Sequence, residues 1–327
     1  MENLNTSYMG LELKSPLIVA SSRITSKTEN CQKAEEFGAG AIVLRSLFEE
    51  QIIADMIKNF PEEAGKYHPE AIDYYETVSK DQSIFKYFDL IEQTKKAVNI
   101  PVIASIHCVS EGEWVNYSSK LEQSGADAIE LNLYITPKDN RTSPMETETQ
   151  YFNIVEAVKS KVKVPVSVKI SPYFTNLLHM VERFDAMKVA AVVLFNRYYR
   201  FDIDIEKQKL VPGKILSNPD ELSVPMRWIS LLYGHIKSDI AASTGIHNSE
   251  ALIKQLLVGA NVAQVASILY QKDLSAIAEL LEGLKSWMKS HNYEKLSDFR
   301  GKLSKVKSQD PVAYERIQFI RQDMELK

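Results

Sequence analysis

The residues of this chain best placed to do chemistry are polar side chains that interrupt apolar runs. Residues 128–139 read AIELNLYITPKD, with Glu130 and Asn132 inside an apolar stretch that then breaks into a loop. Lys169 stands the same way within PVSVKISPYF (165–174). A lysine withdrawn from water needs an anionic partner or a ligand. Two uses are open for it: a structural ion pair, with Glu130 as the candidate partner, or an ammonium that serves a ligand or a reaction. Asn196 and Arg197 end a third run, AAVVLFNR (190–197). Taken singly, Asn132 and Asn196 could satisfy backbone groups. At equivalent ends of two runs they suit the donors and acceptors of a planar heterocycle. His107 and Cys108 close NIPVIASIHC (99–108), where the histidine reads as a local hydrogen-bond partner and the cysteine as packing.

A different signal comes from small residues. STGIHN (243–248) precedes a helical pattern, and AQVASILY (263–270) follows it. Backbone N–H groups at Thr244, Gly245, Ala266 and Ser267, beside a helix N-terminus, would form a phosphate site of the kind barrels carry. Tight packing is the alternative use of such small residues.

These positions need a scaffold, and the chain repeats one. FGAGAIVLRS (37–46), SGADAIELNL (124–133), MKVAAVVLFN (187–196) and VGANVAQVAS (258–267) each join an amphipathic end, a small-residue turn and a β-branched run. Continuous apolar runs of that kind fit strands buried on both faces of a parallel sheet. Strands are expected at 16–22, 41–46, 101–107, 128–133, 165–171, 190–196, 239–245 and 262–268, with helical patterns between them. Eight βα units specify a (β/α)8 TIM barrel. A doubly wound open sheet would have fewer strands and a glycine-rich loop after the first, where this chain reads ASSRITS. One domain is expected over residues 1–327. A hairpin over 1–15 would close the barrel bottom, and a tail over 292–327 would pack outside. Long loops after strands 2 and 6 (47–82 and 197–224) fall at the C-terminal mouth, where barrel active sites form.

Composition narrows the partners. The 327 residues are 45% hydrophobic and 25% charged, with a net charge of −4, which favours neither nucleic acid nor an anionic membrane. The two cysteines, Cys31 and Cys108, form no metal or redox motif, and no metal site is expected. No signal peptide and no run of 18 apolar residues is visible, so a cytoplasmic, reducing setting is the expectation.

The residues in register along the strands resemble the dihydroorotate dehydrogenase family, particularly its soluble class 1 members. GLELKSPLIVASS looks like that family's opening, VKISPYF like its lysine-bearing stretch, and TGIHNSEALIKQLLVGANVAQVASILY like its flavin-phosphate segment. FN at 195–196 and FRGKLS at 299–304 fit the same alignment. The resemblance implies bound FMN. Ala20, Ser21 and Arg45 would lie at the flavin, and Lys169 would stabilise negative charge on the reduced ring. The backbone around Thr244, Gly245, Ala266 and Ser267 would hold the phosphate. Asn132, Asn196 and Arg197 would bind a small anionic substrate. A homodimer is implied too. The electron acceptor stays open between fumarate, NAD through a partner subunit, and another carrier.

The sequence departs from the family at the catalytic base. The family's ELNLSCPN motif carries a cysteine or serine base, and here the stretch reads ELNLYITP, with Ile135 at that position and Tyr134 before it. Isoleucine accepts no proton. Thr136 and Tyr134 become the candidate replacements alongside Lys169. Arg45 stands where the family has a lysine, and NRYYRFD replaces NSIGNG after strand 6. The readings left open are oxidation of dihydroorotate or a related anionic heterocycle, FMN chemistry on a different anionic substrate, a Schiff-base lyase or aldolase using Lys169, and a subunit without catalysis of its own.

Overall fold

The computed structural model describes residues 2–49, 84–108, 111–135, 141–197, 200–309 and 314. Eight parallel strands alternate with helices: β1 Leu17–Val19, β2 Ala41–Val43, β3 Val102–His107, β4 Ala128–Asn132, β5 Val166–Ile170, β6 Ala191–Leu194, β7 Asp239–Ser243 and β8 Val262–Val265. Their hydrogen-bonded order runs β2-β1-β8-β7-β6-β5-β4-β3, and a β2–β3 pairing closes the ring. The expected (β/α)8 barrel is the fold. Most strands are shorter than the apolar runs suggested, because those runs continue past the paired residues into the mouth, whereas β3 reaches the end of its run at His107.

Around the barrel stand α1 Thr28–Glu36, α2 over 84–97, α3 Glu111–Gln123, α4 Pro144–Lys159, α5 Leu177–Ala186, α6 Ser223–Leu232, α7 Ser249–Val258 and α8 Ala276–Ser290. Local chemistry sets their ends. Ser143 and Glu146 form a reciprocal capping box at the start of α4, with Pro144 in its first turn, and the Asn248 side chain caps α7. In the recurring phrase the glycine closes the helix at a left-handed φ, +99° at Gly38 and +125° at Gly259. Lys188 adopts +59° where the phrase has no glycine.

Period-two alternation sorts the strand residues into two cores. Outward-facing Val19, Ile42, Ile106, Leu131, Val168 and Leu194 join the large cluster under the helices. Inward-facing Ile18, Val43, Ile103, Ala128, Val193 and Val262 pack with Tyr8, Met9 and Leu13, which come from an N-terminal hairpin, Thr6–Tyr8 against Leu11–Leu13. The hairpin thus fills the barrel floor. Asp239 accepts the Met9 N–H at 2.8 Å and ties hairpin to barrel.

Beyond α8, Leu296 and Phe299 are buried, and the Gly301 and Leu303 amides donate to carbonyls of α7. The 3-10 turn Leu296–Asp298 lies in the described part of the tail. Most of the long connection after β2 (residues 50–83) lies outside the described residues, but Leu47–Phe48 first adds a short strand against β3, with Phe48 beside His107. After β6, Phe201–Asp204 and Lys209–Pro212 form an antiparallel hairpin. No helix among the described residues is long and apolar enough to cross a membrane.

Candidate active site

The polar residues flagged in the sequence face inward at the C-terminal ends of the strands. Lys169 Nζ lies 3.1 Å from Gln264 Oε1 and 3.7 Å from Glu130 Oε1, while Gln264 Nε2 donates to Glu130 Oε2 at 2.6 Å. All three side chains are buried, and each occupies an inward position of its strand; in the β4–β5 register Lys169 pairs with Asn132, one inward position beyond Glu130. The ion pair that was one of two uses open to Lys169 therefore exists, and the same lysine still faces a cavity.

That cavity, of about 230 Å³, is bounded by Ala20, Ser21, Lys169, Thr244, Gly245, Ala266 and Ser267, together with Asn196 and Arg197. Small side chains make one wall and the ammonium makes the floor. At the far end, Gly245 N–H points to Ser217 Oγ at 3.4 Å, and Ser217 N–H donates to Ser267 Oγ at 2.9 Å. Thr244 and Gly245 follow one another at φ +79° and +80°. A Cβ on Gly245 would sit 2.3 Å from the Leu222 backbone nitrogen, so only glycine lets the loop lie this close. Thr244 is β-branched in the same region, a conformation that persists only where its surroundings hold it.

A second cavity of about 260 Å³ adjoins the first at Asn196 and Arg197 and is completed by Phe48, His107, Asn132, Tyr134 and Ser171. Asn196 Nδ2 donates to Asn132 Oδ1 at 2.7 Å, so the two asparagines present a joined amide edge. Arg197 is engaged elsewhere: its guanidinium donates to Glu221 and to the carbonyls of Lys214 and Ile215. It acts as a clamp on the loop that roofs the first cavity.

Of the residues singled out from the sequence, the structure brings together Ala20, Ser21, Lys169, Thr244, Gly245, Ala266 and Ser267 in one cavity, and Asn132, Tyr134, Asn196 and Arg197 in or beside the other. Arg45 is half-buried just past β2 and lines neither. Thr136 lies outside the described residues. Ile135 packs against the outer core and donates its N–H to Tyr151 Oη at 3.0 Å. His107 makes the kind of hydrogen bond expected of it, with Nδ1 2.8 Å from the Asn132 carbonyl oxygen, and it lines the second cavity as well. Two residues, Gln264 and Ser217, are missing from the sequence reading. Gln264 could have been found by period two, as the polar inward position in VAQV. Ser217 carries no sequence signal, because the loop that delivers it is placed by Arg197 and Gly245.

The model of the family described as dihydroorotate dehydrogenase matches residues 79–288, more than half of the chain. The chain belongs to the dihydroorotate dehydrogenase family. Among curated relatives, the catalytic subunit of dihydroorotate dehydrogenase B (NAD(+)) of Thermoplasma volcanium is 26% identical over 92% of this chain and 98% of its own. The same-named subunits of Methanocaldococcus jannaschii, at 23% over 88% of this chain and 94% of its own, and Pyrococcus furiosus, at 24% over 93% and 100%, are similar along nearly their whole length. The protein is therefore a dihydroorotate dehydrogenase-like oxidoreductase.

Proposed function

We propose that this protein is an FMN-dependent oxidoreductase that removes two hydrogens from a CH–CH unit of dihydroorotate or a related anionic heterocycle. The observation that carries the reading is convergence. Seven residues that the resemblance assigns to the flavin, Lys169 on β5 and six just past the ends of β1, β7 and β8, bound one cavity. The donor set suits FMN. An ammonium at the floor matches the ring edge that gains negative charge on reduction, and the Gly245 amide with the Ser217 and Ser267 hydroxyls matches a phosphate. Bound there, FMN would supply the two-electron acceptor. The chain's own residues orient and neutralise: Lys169 holds positive charge at the ring, and the Asn132–Asn196 edge aligns the substrate in the adjoining cavity.

The Schiff-base alternative fares worse. A lysine attacks a carbonyl as the free amine, and Lys169 is ion-paired with Glu130. A different anionic substrate is the reading that Ile135 favours, since the family's base is absent there. The relatives' names supply the idea of an NAD-linked partner subunit as electron acceptor.

The test is the visible spectrum of the purified protein before and after anaerobic dihydroorotate. Flavin bands that bleach are expected. Bands that persist would retain FMN and remove dihydroorotate, and a colourless protein that takes up no FMN would overturn the reading.

A further inference from the structure

We infer that Ser217, His247 and Gln271 form a relay that couples the phosphate end of the first cavity to a proton from solvent. The inference rests on the flavin reading above for its ligand, and it names what sets the ionic form of phosphate accepted there. Ser217 is buried and borders the cavity, Gln271 is exposed, and His247 stands half-buried between them. His247 Nε2 lies 3.0 Å from Ser217 Oγ, and its Nδ1 lies 3.1 Å from Gln271 Oε1. An amide oxygen only accepts, so Nδ1 carries a hydrogen, and in the neutral ring Nε2 offers a lone pair. The Ser217 hydroxyl therefore donates to His247. What it keeps for a ligand is a lone pair, which repels an ionised phosphate oxygen.

Protonation of His247 reverses the relay. Nε2 then donates to Ser217 Oγ, and the serine's own hydrogen is released to the cavity beside the Ser267 hydroxyl. That state suits a phosphate dianion, the form a phosphate monoester takes above about pH 6. His247 is thus a positioning residue that acts on the ligand through Ser217. The coupling is reciprocal: a ligand that prefers the protonated relay keeps the ring protonated to higher pH and takes up a proton as it binds.

Other charges stand on the segments around the relay. Glu221 is held by Arg197 and Arg200, Glu250 by Lys254, and Lys272 by Glu279. The Asp273 carboxylate accepts the Ser275 amide, and Tyr270 Oη accepts the Arg23 amide. Lys214, Asp220, Arg23 and Lys27 lie on the same segments. All of these act alike on wild type and on a His247 variant, so the difference between the two isolates the imidazole.

The experiment titrates flavin-stripped, full-length protein with FMN and with riboflavin, which lacks the phosphate, and reads affinity by fluorescence quenching. As pH rises from about 6.5 to 8.5, an imidazole loses its proton while the phosphate stays ionised. Wild type should lose affinity for FMN by about tenfold over that range, the factor of one pKa unit, while riboflavin binding stays level. His247→Gln, whose amide donates to Ser217 without titrating, should give a flat FMN profile, and so should Ser217→Ala. A wild-type profile parallel to that of His247→Gln overturns the relay and leaves the flavin reading standing. If the variants do not fold, ¹⁵N NMR of wild-type His247 decides. A hydrogen on Nδ1 in the neutral ring, with FMN keeping the ring protonated to higher pH, supports the relay. The opposite tautomer, or a titration that FMN leaves unmoved, overturns it. Protein that binds neither flavin overturns the flavin reading, and inorganic phosphate then replaces FMN in the same NMR titration: a moved His247 supports the relay and an unmoved one overturns it as well.

Discussion

At the scale of single residues, the centre of the site is a buried charge pair tied to an amide. Lys169, Glu130 and Gln264 come from three strands, and each satisfies part of another's polar demand. Removing one member of such a pair leaves a buried charge uncompensated, which costs about 3–5 kcal/mol. Lys169→Ala is therefore expected to lower the denaturant midpoint by that order as well as to slow flavin reduction. The double variant Lys169→Met with Glu130→Gln should recover most of the stability and none of the reduction rate. Equal stability of the single variant and wild type would show that the pair is not the buried unit described. The lysine and its candidate carboxylate were both visible in the sequence, as ionisable residues inside apolar runs. Period two marks Gln264 as an inward polar position as well, but its partners are decided only when the ring of strands brings it beside Glu130.

At the scale of elements, the loop after β6 does the closing. Arg197 grips Glu221 and two loop carbonyls, and Arg200 lies 3.3 Å from the same carboxylate. Burial pushes the Glu221 carboxyl up, but hydrogen bonds and charge from Arg197, with the charge of Arg200 and the Asn218 amide, outweigh it and hold the carboxyl below its ordinary value. A carboxyl lowered in the folded state adds stability above its unfolded value. That contribution is lost as pH falls through the lowered one. Acid should thus loosen the loop and release ligand from the first cavity as pH falls below the ordinary carboxylate range. Melting temperature against pH, compared with Glu221→Gln, checks this. The wild type should lose stability over that window and the variant should change less, and parallel curves would remove Glu221 from the clamp. Arg197 illustrates what sequence could not tell: its position at a strand end is plain, and the resemblance implies a substrate contact. It borders both cavities, and its guanidinium also grips the loop, because the chain folds back over the mouth within reach of five N–H donors.

At the scale of the whole molecule, the barrel depends on its plug. Tyr8 is fully buried among inward strand residues, and burial, with the charges of Glu130 and Asp239, raises its phenol well above the ordinary value. Tyr8→Ala would leave the barrel floor open and should cost about 3–5 kcal/mol, as large-to-small aromatic replacements in cores do. A denaturant titration that moved by less than about 1 kcal/mol would mean the floor is filled another way.

The sequence by itself determined the eight βα units, because apolar periodicity and turn residues are local and each run must be buried on both faces. It also determined which strand ends carry polar groups, since period two assigns every side chain a face. Only the tertiary structure decided which of those groups meet. Closing the ring set Gln264 against Lys169 and Glu130, joined Asn132 to Asn196, turned Ile135 into packing, and put His107 in the cavity. Those contacts join residues far apart in the chain, and their geometry follows from strand register and loop placement, which no single stretch of residues encodes.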